Sequence, residues 1–440
     1  MNEQRNLFQT GGPHVIEDNQ LNNQLNGTVT GTVFNMLHNI LGVGVLSIAI
    51  TLSYGTLVIA LLLNIFMSMV STVSTFLIVD MMVLEQVTNW NGLIRKAFQR
   101  PCIAKTTVGI ISLTTFFSSV AFAIITIDGL VNTGYIPNRY YSGALVFVCT
   151  LPFALLKNME ALKFSSAFGI LGILFASAVV VYFAIANSIP VSEKGDITII
   201  GYKFTVFICF AIFALSYAMQ YNVPRFYREI RLGSASDAEA VKKMRKATII
   251  SNTISLVWYT VTGIAGYLCF GDKSTGDILN AFLSEGDLIQ VVRIVLSVSL
   301  VTSIPLTLHC CREEFISLVY GKYKQDAAII LDGRQNLNEE LIEDNDDEMI
   351  QRDDLSSNTR KWISTILLAL ICLIAATIRK IEILLSFKGA TLISFIVFFL
   401  PTICAYKLRP ANWKCSAIIL TITGSICTIF GLIAAIKKVQ

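Results

Sequence analysis

Apolar residues run along this chain in long unbroken stretches, not in the alternation of half-buried strands or the one-sided stripe of soluble helices. Eleven stretches reach or approach the ~20 residues that carry a helix across a bilayer. They cover 28–51, 55–81, 103–131, 142–156, 162–189, 202–223, 247–270, 288–310, 361–378, 389–406 and 413–436. The stretch 142–156 is the shortest and contains Pro152. Backbone polar groups in hydrocarbon must pair inside the protein, which leaves helices or the strands of a closed barrel. These stretches are too long and too continuously apolar for barrel strands. The expected fold is an all-α polytopic membrane protein with about eleven transmembrane helices.

Composition agrees. Of 440 residues, 54% are hydrophobic and 15% charged, and the mean hydropathy is +0.64, which excludes a soluble enzyme. The 34 basic and 30 acidic residues give a net charge of +4, too balanced to suggest a nucleic-acid partner. Basic residues near a span tend to stay cytoplasmic. With the N-terminus inside, 24 Lys and Arg lie on the cytoplasmic side and 9 on the other, while Arg293 falls within a span. The expected orientation is therefore N-terminus cytoplasmic and C-terminus extracellular or lumenal. Arg379, Lys380 and Lys388, on the outer side, go against the rule.

The charged residues divide the chain into a polar tail (1–27), spans one to eight (28–310), a cytoplasmic loop (311–360) and spans nine to eleven (361–440). The tail is rich in Asn and Gln, lacks the pattern of a cleavable signal, and is expected to be disordered. Between 332 and 354 stand ten acidic residues and two basic ones. This stretch is a solvated linker or a docking segment for a cytoplasmic regulator. Trp90, Leu93, Ile94, Ala97 and Phe98 recur at helical spacing beside Arg95, Lys96 and Arg100. A short helix is expected there, either on the cytoplasmic membrane surface or packed under the bundle.

No Gly-rich phosphate loop, His-Glu-x-x-His or Gly-x-Ser-x-Gly stands in any loop, so no enzyme is expected. No CxxC suggests a metal, and no cofactor is expected. Charges within spans keep to the ends: Asp80 and Glu85 inside, Asp128 and Arg293 outside, the last two either paired across the outer vestibule or snorkelling to the interface. A charged residue at the membrane centre costs about 2.5–3.5 kcal/mol and marks function by default. A pathway free of central charge suits a net-neutral substrate.

In the first span Asn35, His38 and Asn39 share one helical face, and Gly42-Val43-Gly44 follows. A Gly-x-Gly tolerates unwinding or permits close helix packing. An unwound segment at mid-membrane offers N–H groups to a carboxylate and carbonyls to an amine or cation.

Phe34-Asn35 with Gly42-Val43-Gly44-Val45-Leu46 resembles the first-helix signature of the amino acid/auxin permease family, which includes sodium- and proton-coupled neutral amino acid transporters and vacuolar amino acid transporters. The resemblance continues in order through Gln220-x-Asn222-x-Pro224-x-x-Tyr227-x-Glu229, Gly266-Tyr267-Leu268-x-Phe270-Gly271 with Asp277-Ile278-Leu279, Val292-Arg293 with Pro305-Leu306 and Arg312, and Gly389-Ala390-Thr391 with Phe395, Pro401 and Tyr406-Lys407-Leu408. It implies a leucine-transporter-like fold, two inverted five-helix repeats plus one added helix, with helices one and six broken at the substrate site. The breaks would fall at 41–44 and at about 215–218. No Gly or Pro stands at the second, so that break is implied by the resemblance alone.

The function implied is secondary active transport of neutral or small amino acids by alternating access. Gly42, Val43 and Gly44 would hold the substrate carboxylate; Ser216 and Tyr217 would contact the substrate and select its size. In sodium-coupled members the ion lies between helices one and eight, and an Asn ligand stands where this chain has His38. Imidazole is a poor sodium ligand, and free histidine titrates near 6.5, so His38 favours a proton. His38 is otherwise a hydrogen-bonded packing residue. Ser299, Thr302 and Ser303 on helix eight remain as hydroxyl partners of an ion; the rival readings are sodium coupling through Asn35, Thr302 and Ser303, an amino-acid sensor with little flux, and a channel, for which no charged filter is visible. The membrane is the plasma membrane or that of a vacuole or lysosome.

Overall fold

The computed structural model describes residues 28–155, 163–282, 286–320, 357–411 and 413–439. The tail 1–27 and the acidic segment 332–354 lie outside the described residues, which are all helical or irregular, with no strand. Outer and inner below follow the orientation expected from the loop charges.

The first span is two helices, α1 (Val29–Ile40) and α2 (Ile48–Gly55), bent by 50° and joined through Leu41, Gly42 and a 3-10 turn at Val43–Ser47. Thr28 caps α1 by accepting from the Gly31 N–H at 3.1 Å. Next come α3 (Leu57–Glu85), the short α4 (Trp90–Phe98), α5 (Pro101–Asn132), α6 (Arg139–Ala154) and α7 (Lys163–Ala186). Pro101 opens α5, where a missing N–H costs nothing. The sixth span breaks into α8 (Val206–Ser216) and α9 (Val223–Leu232), joined by residues 217–222. After it come α10 (Asp237–Phe270), α11 (Asp287–Tyr320), α12 (Ser357–Thr377), α13 (Ile381–Lys388), α14 (Leu400–Leu408) and α15 (Trp413–Val439). Ser236 caps α10: its hydroxyl accepts from the Glu239 N–H, and the Glu239 carboxylate reaches back to the Ala235 N–H just before the cap.

Each of the eleven apolar stretches overlaps helix among the described residues. Among the described residues eight helices are long and apolar enough to cross a membrane, or nine if α1 and α2 form one bent span. The helix α6 has 16 residues, and α7 carries a shorter apolar stretch, Leu171–Ala186. The helix α11 runs on to Tyr320, ten residues into the segment read as loop.

Packing decides one open alternative and moves one boundary. Trp90, Leu93 and Ile94 of α4 are buried against α3, α5 and α14, and the Trp90 indole donates to the Gln220 carbonyl, so α4 packs under the bundle. The tenth span begins at Ile381, not 389, because Ile381, Leu384 and Leu385 bury their side chains and carry the helix outward. It runs through α13, two π-helical segments at Gly389–Ile393 and Phe395–Phe399, and α14 as one path to Leu408. Lys388 therefore lies inside the membrane-spanning segment. A bundle interior without central charge, expected above, is corrected by this one residue.

Candidate functional site

The two breaks meet in the middle of the bundle. A Cβ on Gly44 would stand 2.6 Å from the Ser216 hydroxyl, so the first break approaches the sixth as closely as only a glycine allows. Helix α1 ends with the Gly42 N–H bonded to the Ile40 carbonyl at 2.8 Å and the Val45 N–H to the Gly42 carbonyl at 3.1 Å. The N–H groups that open a helix have no partner within it. Beside this break α8 ends, and Tyr217, Ala218 and Met219 leave helical geometry.

Neighbouring spans hold the sixth break open. Ser71 of α3 donates to the Tyr217 carbonyl at 2.9 Å; Gln220 reaches back from its side chain to the Ser71 hydroxyl at 3.0 Å and accepts from the Met219 N–H at 2.9 Å. The Tyr217 hydroxyl donates to Asn64 at 2.7 Å. Tyr259 of α10 is fully buried, with its hydroxyl 2.6 Å from the Ile40 carbonyl and 2.9 Å from the Ser216 carbonyl. Its single proton serves the last carbonyl of either half-helix. Its ring packs edge-on against Tyr217 at 5.3 Å.

Of the residues singled out from the sequence, Gly42, Gly44, Ser216 and Tyr217 come together at the breaks; of Val43 only the backbone is described. His38 stands on the last turn of α1, half-buried, below the first break. Asn39 accepts from Asn222, the cap of α9, at 2.5 Å, and Asn35 donates to Glu229 of α9 at 3.3 Å, so both asparagines tie α1 to the second half of the sixth span. The α11 hydroxyls are engaged elsewhere: Ser299 donates to the Val295 carbonyl, and Thr302 and Ser303 to that of Ser299. Ser299 and Ser303 also fill the space beside Gly172 and Gly169 of α7. The sequence offered no signal for Tyr259, Asn64 or Ser71, since a buried tyrosine or serine in an apolar run looks like packing until its partner is known.

Two polar groups lie apart from the breaks. At the outer end, Asp128 pairs with Arg139 and accepts from Asn280 at 3.1 Å, and the Arg293 guanidinium caps the carbonyls of Asn132, Leu279 and Phe282. Both side chains are buried, so neither snorkels to the interface. In the loop between α10 and α11, Asp277 accepts from the Leu279 N–H at 3.1 Å and is 2% exposed. Burial, reinforced by the charge of Asp128, pushes its carboxyl up to about 7. The second group is Lys388, whose ammonium nitrogen lies 2.5 Å from the Ser118 hydroxyl of α5.

The model of the family described as transmembrane amino acid transporter protein matches residues 26–439. The vacuolar amino acid transporter 6 of Saccharomyces cerevisiae is 25% identical, the alignment covering 66% of this chain and 69% of that one. An amino acid transporter of Arabidopsis thaliana, AVT6E, is also 25% identical, over 90% of this chain and 81% of its own. Among solved structures, the manganese transporter of Eremococcus coleocola superposes with a TM-score of 0.56 at 14% identity, covering 93% of this chain and 86% of that one. That likeness concerns the fold, which is of the leucine-transporter type.

Proposed function

We propose that this chain, which belongs to the transmembrane amino acid transporter family, is a secondary active transporter that moves neutral, small amino acids together with protons by alternating access around its broken first and sixth spans. The observation that carries this is the convergence of the two breaks on one buried point, Gly44 against Ser216, with the Tyr259 hydroxyl between the last carbonyls of the two half-helices. A zwitterion fits such a point. The N–H groups at Val43 and Gly44 suit its carboxylate, and the carbonyls at Ile40 and Ser216 suit its ammonium.

The side chains at the breaks are uncharged, which favours a substrate side chain without charge. The tight Gly44–Ser216 approach and the Tyr217 ring favour a small one. Coupling to a proton is supported by a histidine, a titratable group and a poor sodium ligand, on the last turn of α1. One proton moved down 100 mV and one pH unit supplies about 3.7 kcal/mol, roughly a 500-fold gradient of a neutral substrate. Relatives named as vacuolar transporters support an acidic organelle as the membrane of residence.

Reconstituted vesicles test the proposal. Uptake should follow an imposed pH gradient in sodium-free buffer. Uptake that stops without sodium would transfer coupling to that ion, and amino-acid binding with no uptake under any gradient would make the chain a sensor.

A further inference from the structure

Lys388 is 5% exposed, on the membrane-spanning path of α13, and its nitrogen contacts the Ser118 hydroxyl. Ser118 lies near the midpoint of α5, about 21 Å of helix rise from its outer end. The Ser118 proton is already given to the Thr114 carbonyl at 3.0 Å, so the lysine is the donor in this contact. Among the described residues no carboxylate lies within ion-pair distance of it.

The titratable groups on the outer halves of the elements packed against α13 are engaged or buried elsewhere. On α5, Asp128 is paired with Arg139. On α8, the Cys209 thiol donates to the Thr51 carbonyl. On α15, Cys427 is buried, Lys437 lies over the Phe204 ring, and Lys438 lies over the Tyr54 ring. Glu382, on α13 itself, shares a small outer cavity with Tyr54 and Lys438.

The backbone beside Lys388 is irregular in a way that links it to the substrate point. Helix geometry turns from α to π at Gly389, a feature frequent at functional sites. A Cβ on Gly389 would stand 2.0 Å from the Ala211 carbonyl, so this turn rests directly on the backbone of α8. From Ala211 to the break at Ser216 is about 7.5 Å of helix rise. A movement of α8 during alternating access must therefore move the surroundings of Lys388.

We propose that Lys388, with Ser118 as its hydrogen-bond partner, is the group that binds and releases the coupled proton. Burial penalises a charged nitrogen and water relieves the penalty, so a lysine that alternates between the two takes up and gives back a proton. In the state open to the acidic side, the nitrogen lone pair takes a proton from hydronium: an O–H bond breaks, an N–H bond forms, and water is left. In the state open to the other side that bond breaks to water there, and the neutral amine returns to the Ser118 hydroxyl. This rests on the proton-coupled reading given above and assigns the residue that performs it.

Vesicles with an internal pH dye, loaded with a neutral amino acid, report protons and substrate moved together. The wild-type ratio is read first: about one is expected, and zero there sinks proton coupling as such. With that ratio established, Lys388→Met should lower it at least tenfold and flatten the pH profile of amino-acid exchange. Lys388→Arg, which cannot release its proton, should abolish accumulation. Ser118→Ala, which keeps the lysine, should move the pH midpoint of transport by at least about half a unit, and it decides the matter if the lysine variants fail to reach the membrane. A wild-type ratio in Lys388→Met, or an unmoved midpoint in Ser118→Ala, overturns the assignment. So does loss of coupling in His38→Asn with Lys388→Met normal, or loss of inhibition by acidic amino acids alone, which would make Lys388 a substrate counter-charge.

Discussion

Gly44 and Tyr259 do more at the breaks than their neighbours, for opposite reasons. Gly44 contributes the absence of a side chain: a Cβ there would meet both the hydroxyl of Ser216, at 2.6 Å, and its Cα, at 3.3 Å. Gly44→Ala should lower uptake at least tenfold while the protein still reaches the membrane, because the clash falls on the meeting of two half-helices and not on the scaffold. Uptake within a factor of two of wild type would show that the breaks separate without cost. Tyr259 contributes one hydroxyl to two carbonyls. Tyr259→Phe leaves both buried carbonyls without it, at about 1–3 kcal/mol, and should lower thermal stability in detergent together with substrate affinity. A variant with normal stability and normal KM would remove Tyr259 from the site.

Among the elements, the loop between α10 and α11 carries the clearest pH dependence. An acid whose carboxyl is raised in the fold holds its proton there after the unfolded chain has lost it, so its contribution favours the fold at low pH. That contribution declines as pH rises from about 4 through about 7, the value Asp277 is pushed up to. The melting temperature should therefore fall between about pH 5 and about pH 7.5. Asp277→Asn, which mimics the protonated form, should flatten that decline, and equal slopes for the two proteins would refute it. The loop is also tied to the second half of the broken first span, since the Ser47 hydroxyl donates to the Gly276 carbonyl. A loosened loop thus acts on α2. Elsewhere the tenth span shows how far hydropathy reaches. Its apolar pattern is legible from 389 onward, but Ile381–Phe387 is short and broken by Glu382 and Ser386, and only burial against α5, α8 and α15 reveals it as helix.

For the whole molecule, the chain alone determined that it crosses a membrane and that its spans are helices, and it marked the first span as one that can unwind. Each follows from local chemistry: backbone groups must pair in hydrocarbon, and Gly-x-Gly permits unwinding. The break in the sixth span carried no such mark. It is held by Ser71, Asn64, Gln220 and Tyr259, from elements distant in sequence, and so exists only once α3 and α10 are packed around it. The alternatives for the segment 86–99 were decided the same way, by burial of Trp90 beneath the bundle. Asn35, Ser299, Thr302 and Ser303 share polar chemistry with an ion site, yet packing directs their bonds to Glu229 and to their own helix. Lys388 changed most. Sequence placed it among loop charges because its neighbours Arg379 and Lys380 are there, whereas the fold carries its nitrogen to the midpoint of α5. Composition counts charges and periodicity locates spans, but which charge lies in the interior depends on where a helix begins, and tertiary burial sets that.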